Sequence, residues 1–253
     1  MSEHIRKVIS ILPKVIKDPL KIGRAIARNM KYYGTGRLCP VCGKSSRRFR
    51  KFGLVPRKDA QCVHCGSLER MRFVWLYITR KTDLFDSRHK MMLHVAPERC
   101  FESRFIEYLG DNYLTADLFN PRAMTKMDIT DIKYPDQSFD VIYCSHVLEH
   151  VQDDKKAMRE FYRVLKLNGW AILLVPITAE ETFEDPLIVE PEERLKSFGQ
   201  RDHVRRYGPD FIDRLREAGF KVEVTQVNGL VRDDEAIKMG LTLASGEIFY
   251  CTK

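Results

Sequence analysis

The segment Phe139–Pro176 constrains the fold most, because its pattern changes from strand to helix and back to strand. A β-branched run (Val141, Ile142) gives way to helical spacing from about residue 153 to 167, and the apolar run AILLV follows. Gly169 stands between that helix and the second strand, where we expect it to end the helix with a positive φ. The segment predicts a parallel βαβ unit and therefore an α/β fold.

Two C-x-x-C pairs stand in the N-terminal third, each followed by glycine and separated from one another by 19 residues. This spacing favours two tight turns that donate four thiolates to one tetrahedral Zn²⁺. The ligands would be Cys39, Cys42, Cys62 and Cys65. A redox pair is the alternative, but it would explain one C-x-x-C and not two. We therefore predict a structural zinc ribbon over residues 37–67, without an open position for catalysis.

The other cysteines are scattered and lie mostly in apolar surroundings (Cys100, Cys144 and Cys251). An odd number of cysteines arranged in this way suits a reducing compartment better than a disulfide scaffold. The apolar runs are only strand-length, and no signal-peptide pattern is found. We expect a cytoplasmic protein with no transmembrane segment.

Positive charge is concentrated at the start of the chain, since residues 1–72 hold 18 Lys and Arg against 4 Asp and Glu. Residues 1–36 predict a basic helical extension interrupted by two prolines. It could contact an anionic membrane or nucleic acid, or pack on the body of the protein or another subunit. Between the cysteine pairs, basic residues surround Phe49 and Phe52. They could hold RNA, bind an anionic glycan, nucleotide-sugar or lipid headgroup, or form a solvated face.

Residues 68–88 predict a connecting helix, capped by Ser67 and anchored by Trp75. A first strand follows and ends at Ala96-Pro97-Glu98, and a second strand, NYLTAD, ends on Asp117. Ligands of open α/β sheets lie beyond the carboxyl ends of the strands, where the strand order reverses. An acidic residue at the end of the second strand is typical of a group that binds ribose hydroxyls.

Taken together, the runs YLTADL, KMDITDI, FDVIYCSHVLEHV and LKLNGW resemble class I S-adenosylmethionine-dependent methyltransferases. The resemblance is to the branch often labelled type 11, especially to bacterial members with a zinc ribbon ahead of the catalytic domain, and it covers roughly residues 37–253. It implies a Rossmann-like seven-stranded sheet with helices on both faces over residues 89–253. Most of this superfamily has GxGxG after the first strand, whereas this chain has HVAPE.

The resemblance also implies which residues bind S-adenosylmethionine. Asp117 would bind the ribose, with Leu118 beside the adenine. Asp128 would accept the adenine amino group while Ile129 packs on the ring, although an aspartate that caps a turn is the alternative for Asp128. Glu98 would pair with the amino group of the cofactor. The other expected cofactor contacts lie at the ends of two strands and are His94, Ala96, Ser145 and His146.

Methyl transfer from a sulfonium is a direct displacement, so alignment and desolvation can supply much of the rate. A general base is needed only if the acceptor must lose a proton early. The candidates are His146, Glu149, His150 and His203. The resemblance further implies that the segment containing His203, Arg205 and Tyr207 closes over the active site as its acceptor-side residues. Residues 177–203 would form a lid-like insertion. Three of its residues could line the acceptor pocket, namely Thr182, Glu184 and Asp185.

The sequence thus predicts a methyltransferase that moves a methyl group to oxygen or nitrogen of a small or glycan-type acceptor. One alternative is an RNA methyltransferase that holds its substrate with the ribbon and basic arm. The other is a non-catalytic zinc-ribbon binding protein with a degenerate methyltransferase fold.

Overall fold

The structure is a computed structural model that describes residues 30–53, 55–86 and 89–253. Most of the predicted basic extension, residues 1–29, lies outside these residues. Across the described ranges, no helix is both long and apolar enough to cross a membrane.

Four short strands surround the cysteine pairs, namely β1 (Arg37–Leu38), β2 (Ser45–Ser46), β3 (Arg50–Phe52) and β4 (Arg57–Gln61). The strands of the following domain are β5 (Met92–Val95), β6 (Tyr113–Asp117), β7 (Thr125–Lys126), β8 (Phe139–Ser145), β9 (Leu165–Leu174), β10 (Phe183–Glu184), β11 (Arg205–Arg206), β12 (Lys221–Thr225) and β13 (Ile248–Thr252). The helices are α1 (Glu69–Lys81), α2 (Arg99–Leu109), α3 (Asp154–Val164), α4 (Pro191–Phe198), α5 (Phe211–Glu217) and α6 (Asp233–Met239).

Seven strands form one sheet in the order β12, β13, β9, β8, β5, β6, β7. Strand β13 runs antiparallel to both of its neighbours, and the other neighbouring pairs are parallel. The seven-stranded α/β sheet implied by the resemblance is therefore confirmed.

The strand order reverses between β5 and β8. From β5 the chain moves outward through β6 and β7, and it then returns to pair β8 with the other side of β5. All four residues of β5 are buried, so this strand lies at the centre of the core. Its carboxyl end and that of β8 flank the crevice in which open α/β sheets bind ligands.

The connection between α3 and β9 differs from the sequence prediction. Helix α3 ends at Val164 and β9 begins at the next residue, so the predicted helix end and turn belong to the strand. Gly169 does not have a positive φ. A Cβ at this position would lie 2.7 Å from the carbonyl oxygen of Asp140, beside an irregularity in the β8–β9 register. Glycine is required here by the close approach of two strands, and the prediction of a helix-ending turn was wrong.

Helix α1 connects the cysteine segment to the sheet. Trp75 stacks on Phe101 with 5.8 Å between ring centroids and also contacts Phe85, as expected of a packing anchor. The predicted cap was wrong, because Leu68 occupies the N-cap position. The Ser67 hydroxyl instead contacts the cysteine cluster, at 3.2 Å from the Cys39 sulfur and 3.3 Å from the Cys65 sulfur.

Arg72 in α1 is fully buried and joins three parts of the chain. Its guanidinium donates hydrogen bonds to main-chain carbonyls at distances between 2.7 and 3.0 Å, and the acceptors are Ala60, Ser67, Met239 and Gly240. It also lies 4.4 Å from the centre of the Phe49 ring. A single buried cation therefore fixes the cysteine segment and the end of α6 to α1.

We expect Arg72→Met to lower the free energy of unfolding by about 3 kcal/mol, because buried carbonyls would lose their charged donor. Urea denaturation followed by circular dichroism measures this loss. Arg80→Met in the same helix is the matched control, because Arg80 forms a surface ion pair with Glu235 and its loss should cost no more than about 1 kcal/mol. Equal losses in the two variants would contradict the role of Arg72.

Candidate functional site

The chain turns sharply after β5. Ala96 has a φ of 50°, in the left-handed region, and its amide donates to the carbonyl of Ala116 at 2.8 Å. His146, directly after β8, has a φ of 57°. Left-handed conformations cost non-glycine residues on the order of 1–2 kcal/mol and cluster at functional sites. Two such residues therefore follow the two strands that flank the reversal of strand order.

Glu98 lies just beyond the β5 turn, and two side chains hold it. The Tyr143 hydroxyl donates to its Oε1 at 3.0 Å, and His94 Nε2 lies 2.7 Å from its Oε2. His94 is fully buried, and its Nδ1 lies 2.7 Å from the Tyr113 hydroxyl. Burial and the nearby Glu98 carboxylate raise the pKa of Tyr143, so Tyr143 remains a hydrogen-bond donor. The carboxylate is held in one place at the carboxyl end of the sheet.

Sequence reasoning identified Glu98 but missed Tyr113 and Tyr143. A tyrosine in an apolar strand signals a hydroxyl that needs a partner. The partner of Tyr143 is Glu98, and it becomes evident only from the sheet register. Tyr143 stands directly across from His94, which contacts the same carboxylate.

Asp117 ends β6 as predicted. Its Oδ1 accepts hydrogen bonds from the amides of Phe119 and Asn120, both at 2.8 Å. These bonds do not use Oδ2. Leu118, the predicted neighbour of adenine, is exposed over 36% of its surface. The turn therefore fixes the aspartate and leaves one of its oxygens for a ligand.

Asp128 is exposed and caps a local turn. Its Oδ1 accepts from both the amide and the hydroxyl of Thr130 at 2.8 Å. The turn-capping alternative is therefore confirmed, and adenine binding by Asp128 stays a prediction. Ile129 is 5% exposed, so little of its side chain is open to a ligand in this arrangement.

The end of β8 holds Ser145 and His146. Ser145 is buried, and its hydroxyl oxygen has no hydrogen-bond partner within the described ranges. The amide of His146 donates to the carbonyl of Leu174 at 2.8 Å, and its Nδ1 lies 3.3 Å from Glu149 Oε1. A buried hydroxyl without a partner is costly, so this strand end retains an unused polar group next to the crevice.

The segment around His203 supports the loop that follows β8. Arg205 is buried and donates to the carbonyls of Leu148 at 2.9 Å and Gln152 at 2.8 Å, and also to that of Val151. Tyr207 is fully buried, and its hydroxyl donates to Asp154 at 2.6 Å. These contacts engage both side chains with protein groups. Their predicted contact with an acceptor stays a prediction.

The predicted lid, residues 177–203, is attached at its base. Strand β10 pairs with β11, and Asp210 accepts hydrogen bonds from the amide and hydroxyl of Thr182. Partial burial opposes ionisation of Glu184, but Arg214 and Arg205 hold its pKa below the usual value. A cavity of about 310 Å³ opens beside this strand pair, and its lining includes Glu184, Asp185 and Arg194. Thr182 is not among the lining residues.

The four cysteines of the N-terminal pairs lie together. The Cys39 and Cys65 sulfurs are 3.6 Å apart, and those of Cys42 and Cys62 are 3.9 Å apart. Tetrahedral coordination with Zn–S bonds of about 2.3 Å separates two sulfurs by about 3.8 Å. Contacts with the Cys39 and Cys42 thiols lower the pKa of Cys65 to about 6. Both the donor set and its geometry fit a zinc ion.

The basic segment between the cysteine pairs is mostly exposed, but one of its two phenylalanines is buried. Phe49 is 2% exposed and contacts Arg72, so its ring is not available to stack on a base of bound RNA. Arg57 forms an ion pair with the buried Glu69 at 3.0 Å. Phe52 remains 43% exposed.

Parts of this chain are similar in sequence to known proteins. The family described as the methyltransferase domain matches residues 91–173. The uncharacterized methyltransferase YcgJ of Bacillus subtilis is 40% identical over 74 residues, which are 29% of this chain and 28% of that protein. Phosphoethanolamine N-methyltransferase 3 of Arabidopsis thaliana is 31% identical over 100 residues, or 39% of this chain and 19% of that protein.

The matched part of this chain therefore spans about a quarter of the length of the Bacillus protein and about a fifth of the length of the Arabidopsis protein. The crystal structure of the Bacillus protein YcgJ superposes with a TM-score of 0.43 at 19% identity. That superposition covers 70% of this chain and 93% of the other.

We expect Arg205→Met to increase amide hydrogen exchange across residues 148–152, because three carbonyls of this loop would lose their donor. Exchange measured by mass spectrometry tests this. Arg206→Met is the control, since Arg206 instead contacts Thr178 and should leave the loop protected. Unchanged exchange in the Arg205 variant would contradict the supporting role.

Proposed function

We propose that this chain, which matches the family described as the methyltransferase domain at residues 91–173, binds S-adenosylmethionine at the carboxyl ends of β5, β6 and β8 and transfers its methyl group to a small acceptor. One observation carries the proposal. The two strained residues, Ala96 and His146, follow the two strands between which the strand order reverses.

Each strand end would contact a different part of the cofactor. Asp117 would accept hydrogen bonds from the ribose through Oδ2, with Leu118 beside the adenine. Asp128, whose Oδ2 is not used by its turn, would accept the adenine amino group next to Ile129. The carboxylate of Glu98 would pair with the ammonium group of the cofactor. His94 would contribute indirectly, because it holds the Glu98 carboxylate in place.

The cofactor supplies an electrophilic methyl group on a sulfonium. The protein would then contribute alignment and exclusion of water. Ser145 would orient the methionine end with its unpartnered hydroxyl. Glu149 would hold the His146 ring through its contact with Nδ1 of that ring, so that Nε2 can take a proton from the acceptor. Arg205 and Tyr207 would act as positioning residues that support the loop carrying Glu149.

Two observations support a small acceptor. The cavity beside β10 has a volume of about 310 Å³, which suits a small molecule. The Arabidopsis relative is named for phosphoethanolamine, which is also small. The RNA alternative loses one of its two stacking aromatics, because Phe49 is buried. We place the acceptor atom at oxygen or nitrogen.

We further propose that the four clustered cysteines bind a structural zinc ion. Their knuckles have the same backbone pattern, in which Gly43 donates to Cys39 and Gly66 donates to Cys62. Four thiolates would complete a tetrahedral site and leave no position for catalysis. The ion would stabilise residues 37–67, a module too small to form a large core of its own.

Cys62→Ser should lower the zinc content by one equivalent per chain relative to wild type, because three thiolates hold zinc much less tightly than four. Mass spectrometry of the metal in purified protein measures this. Cys100→Ser is the matched control, because Cys100 is buried outside the cluster. The same zinc content in both variants would exclude this site.

Asp117→Asn should weaken S-adenosylmethionine binding by roughly tenfold to a hundredfold, because a charged hydrogen-bond acceptor for the ribose is lost. Isothermal titration calorimetry measures the change. Asp111→Asn is the control, since Asp111 precedes β6 and so lies at the opposite end of the sheet. A wild-type protein that binds no cofactor would favour the non-catalytic alternative, whereas an Asp117 variant that binds normally would contradict the role of Asp117.

A further inference from the structure

A second group of potential metal ligands lies at the end of β8. The group consists of Glu149, His150 and His203. Each residue offers one ligand atom, and these three atoms lie within 4.8 Å of one another. We propose that these three residues bind a divalent metal ion beside the strand end at which the methyl group would be presented. The role given to the ion rests on the proposed function, whereas its binding does not.

Glu149 carries the argument. The residue is 1% exposed, and its Oε2 has no hydrogen-bond partner in the described part of the chain. Its Oε1 lies 3.3 Å from His146 Nδ1. Burial of a carboxylate oxygen without a partner is costly, and natural proteins compensate buried charges with a counter-charge or a metal. A cation held between Glu149 and the two other imidazoles would satisfy this oxygen.

His150 is oriented through a contact of the kind that metal ligands have. His150 Nδ1 lies 3.2 Å from a carboxylate oxygen of Asp202, which leaves Nε2 for a metal. His203 is buried. A carboxylate or backbone partner on the second ring nitrogen fixes the orientation of a ligating histidine. The two rings stand edge to face, with centroids 4.6 Å apart.

The backbone brings the ligands together before any ion binds. Glu149 and His150 belong to the short 3-10 turn Leu148–His150, and Arg205 holds this turn through the carbonyl of Leu148. The amide of Val204, next to His203, donates to the carbonyl of Glu149 at 2.9 Å. Ligands of a tetrahedral zinc ion lie about 3.4 Å apart. The three ligand atoms lie within 4.8 Å of one another, so a bound ion would draw them closer together.

Two imidazoles and one carboxylate leave open coordination positions, as in catalytic rather than structural sites. An acceptor hydroxyl bound there would have a lowered pKa. Its proton would pass to His146, its oxygen would form the new bond to the methyl carbon, and the electrons of the C–S bond would return to sulfur. The product would be neutral S-adenosylhomocysteine. The site therefore selects an oxygen acceptor that can coordinate a metal.

The test uses the full chain, purified with its cysteine-bound zinc and titrated with Mn²⁺ while free Mn²⁺ is followed by electron paramagnetic resonance. We expect one saturable site per chain. Glu149→Gln and His203→Gln should each weaken it by about tenfold or more, as loss of a ligand exceeds the effect of losing a supporting contact. His89→Gln, an exposed histidine ahead of β5, is the matched control and should bind as wild type.

A second measurement needs no variant. Pulsed resonance of bound Mn²⁺ should detect coupling to imidazole nitrogen in the wild-type protein. The proposal is overturned if wild type binds no Mn²⁺, if both variants bind it normally, or if the bound ion has no nitrogen ligand.

Asp117→Asn separates the two proposals, because it should lose cofactor affinity and keep Mn²⁺ binding. Cofactor binding without Mn²⁺ binding would remove only the metal site. Mn²⁺ binding without cofactor binding would remove the proposed methyl transfer and leave the metal site standing.

Discussion

The parallel pairing of β5 with β8 is the constraint on which the candidate site depends. These strands are distant in sequence, yet their register places Val95 beside Cys144, so the residues that follow them meet at one edge. The turn at Ala96 and the turn at His146 both adopt left-handed backbone there. Such strain persists only where surrounding structure compensates for it, and the buried strands on both sides supply that compensation.

Two buried arginines stabilise segments that lie outside the seven-stranded sheet. Arg72 donates to carbonyls of the cysteine segment and of the C-terminal region, and Arg205 donates to carbonyls of the loop after β8. In each case one planar cation satisfies several backbone acceptors that would otherwise be buried without donors. Arg205 thereby fixes Glu149, which contacts His146 and belongs to the inferred metal site.

Where sequence reasoning failed, a tertiary contact outweighed a local preference. Gly169 was expected to end a helix, but it allows β9 to approach Asp140 closely. The role of Phe49 was left open by its basic neighbours in the sequence, and its ring is buried against Arg72. The roles of Tyr143 and Glu149 were equally hidden, because a hydroxyl or carboxylate chooses its partner from residues that are near only after folding. Local periodicity contains no information about such distant partners.

Patterns in the sequence predicted the α/β class, the clustered cysteines and the acidic end of β6, whereas the seven-stranded sheet was implied by the family resemblance. The patterns suffice for these three features, since hydrophobic period and C-x-x-C repeats are local properties. Only the tertiary structure decided that His94 and Tyr143 hold Glu98 and that Glu149, His150 and His203 converge. These contacts join segments up to 54 positions apart, and sheet register and loop packing, which are not local properties, bring them together.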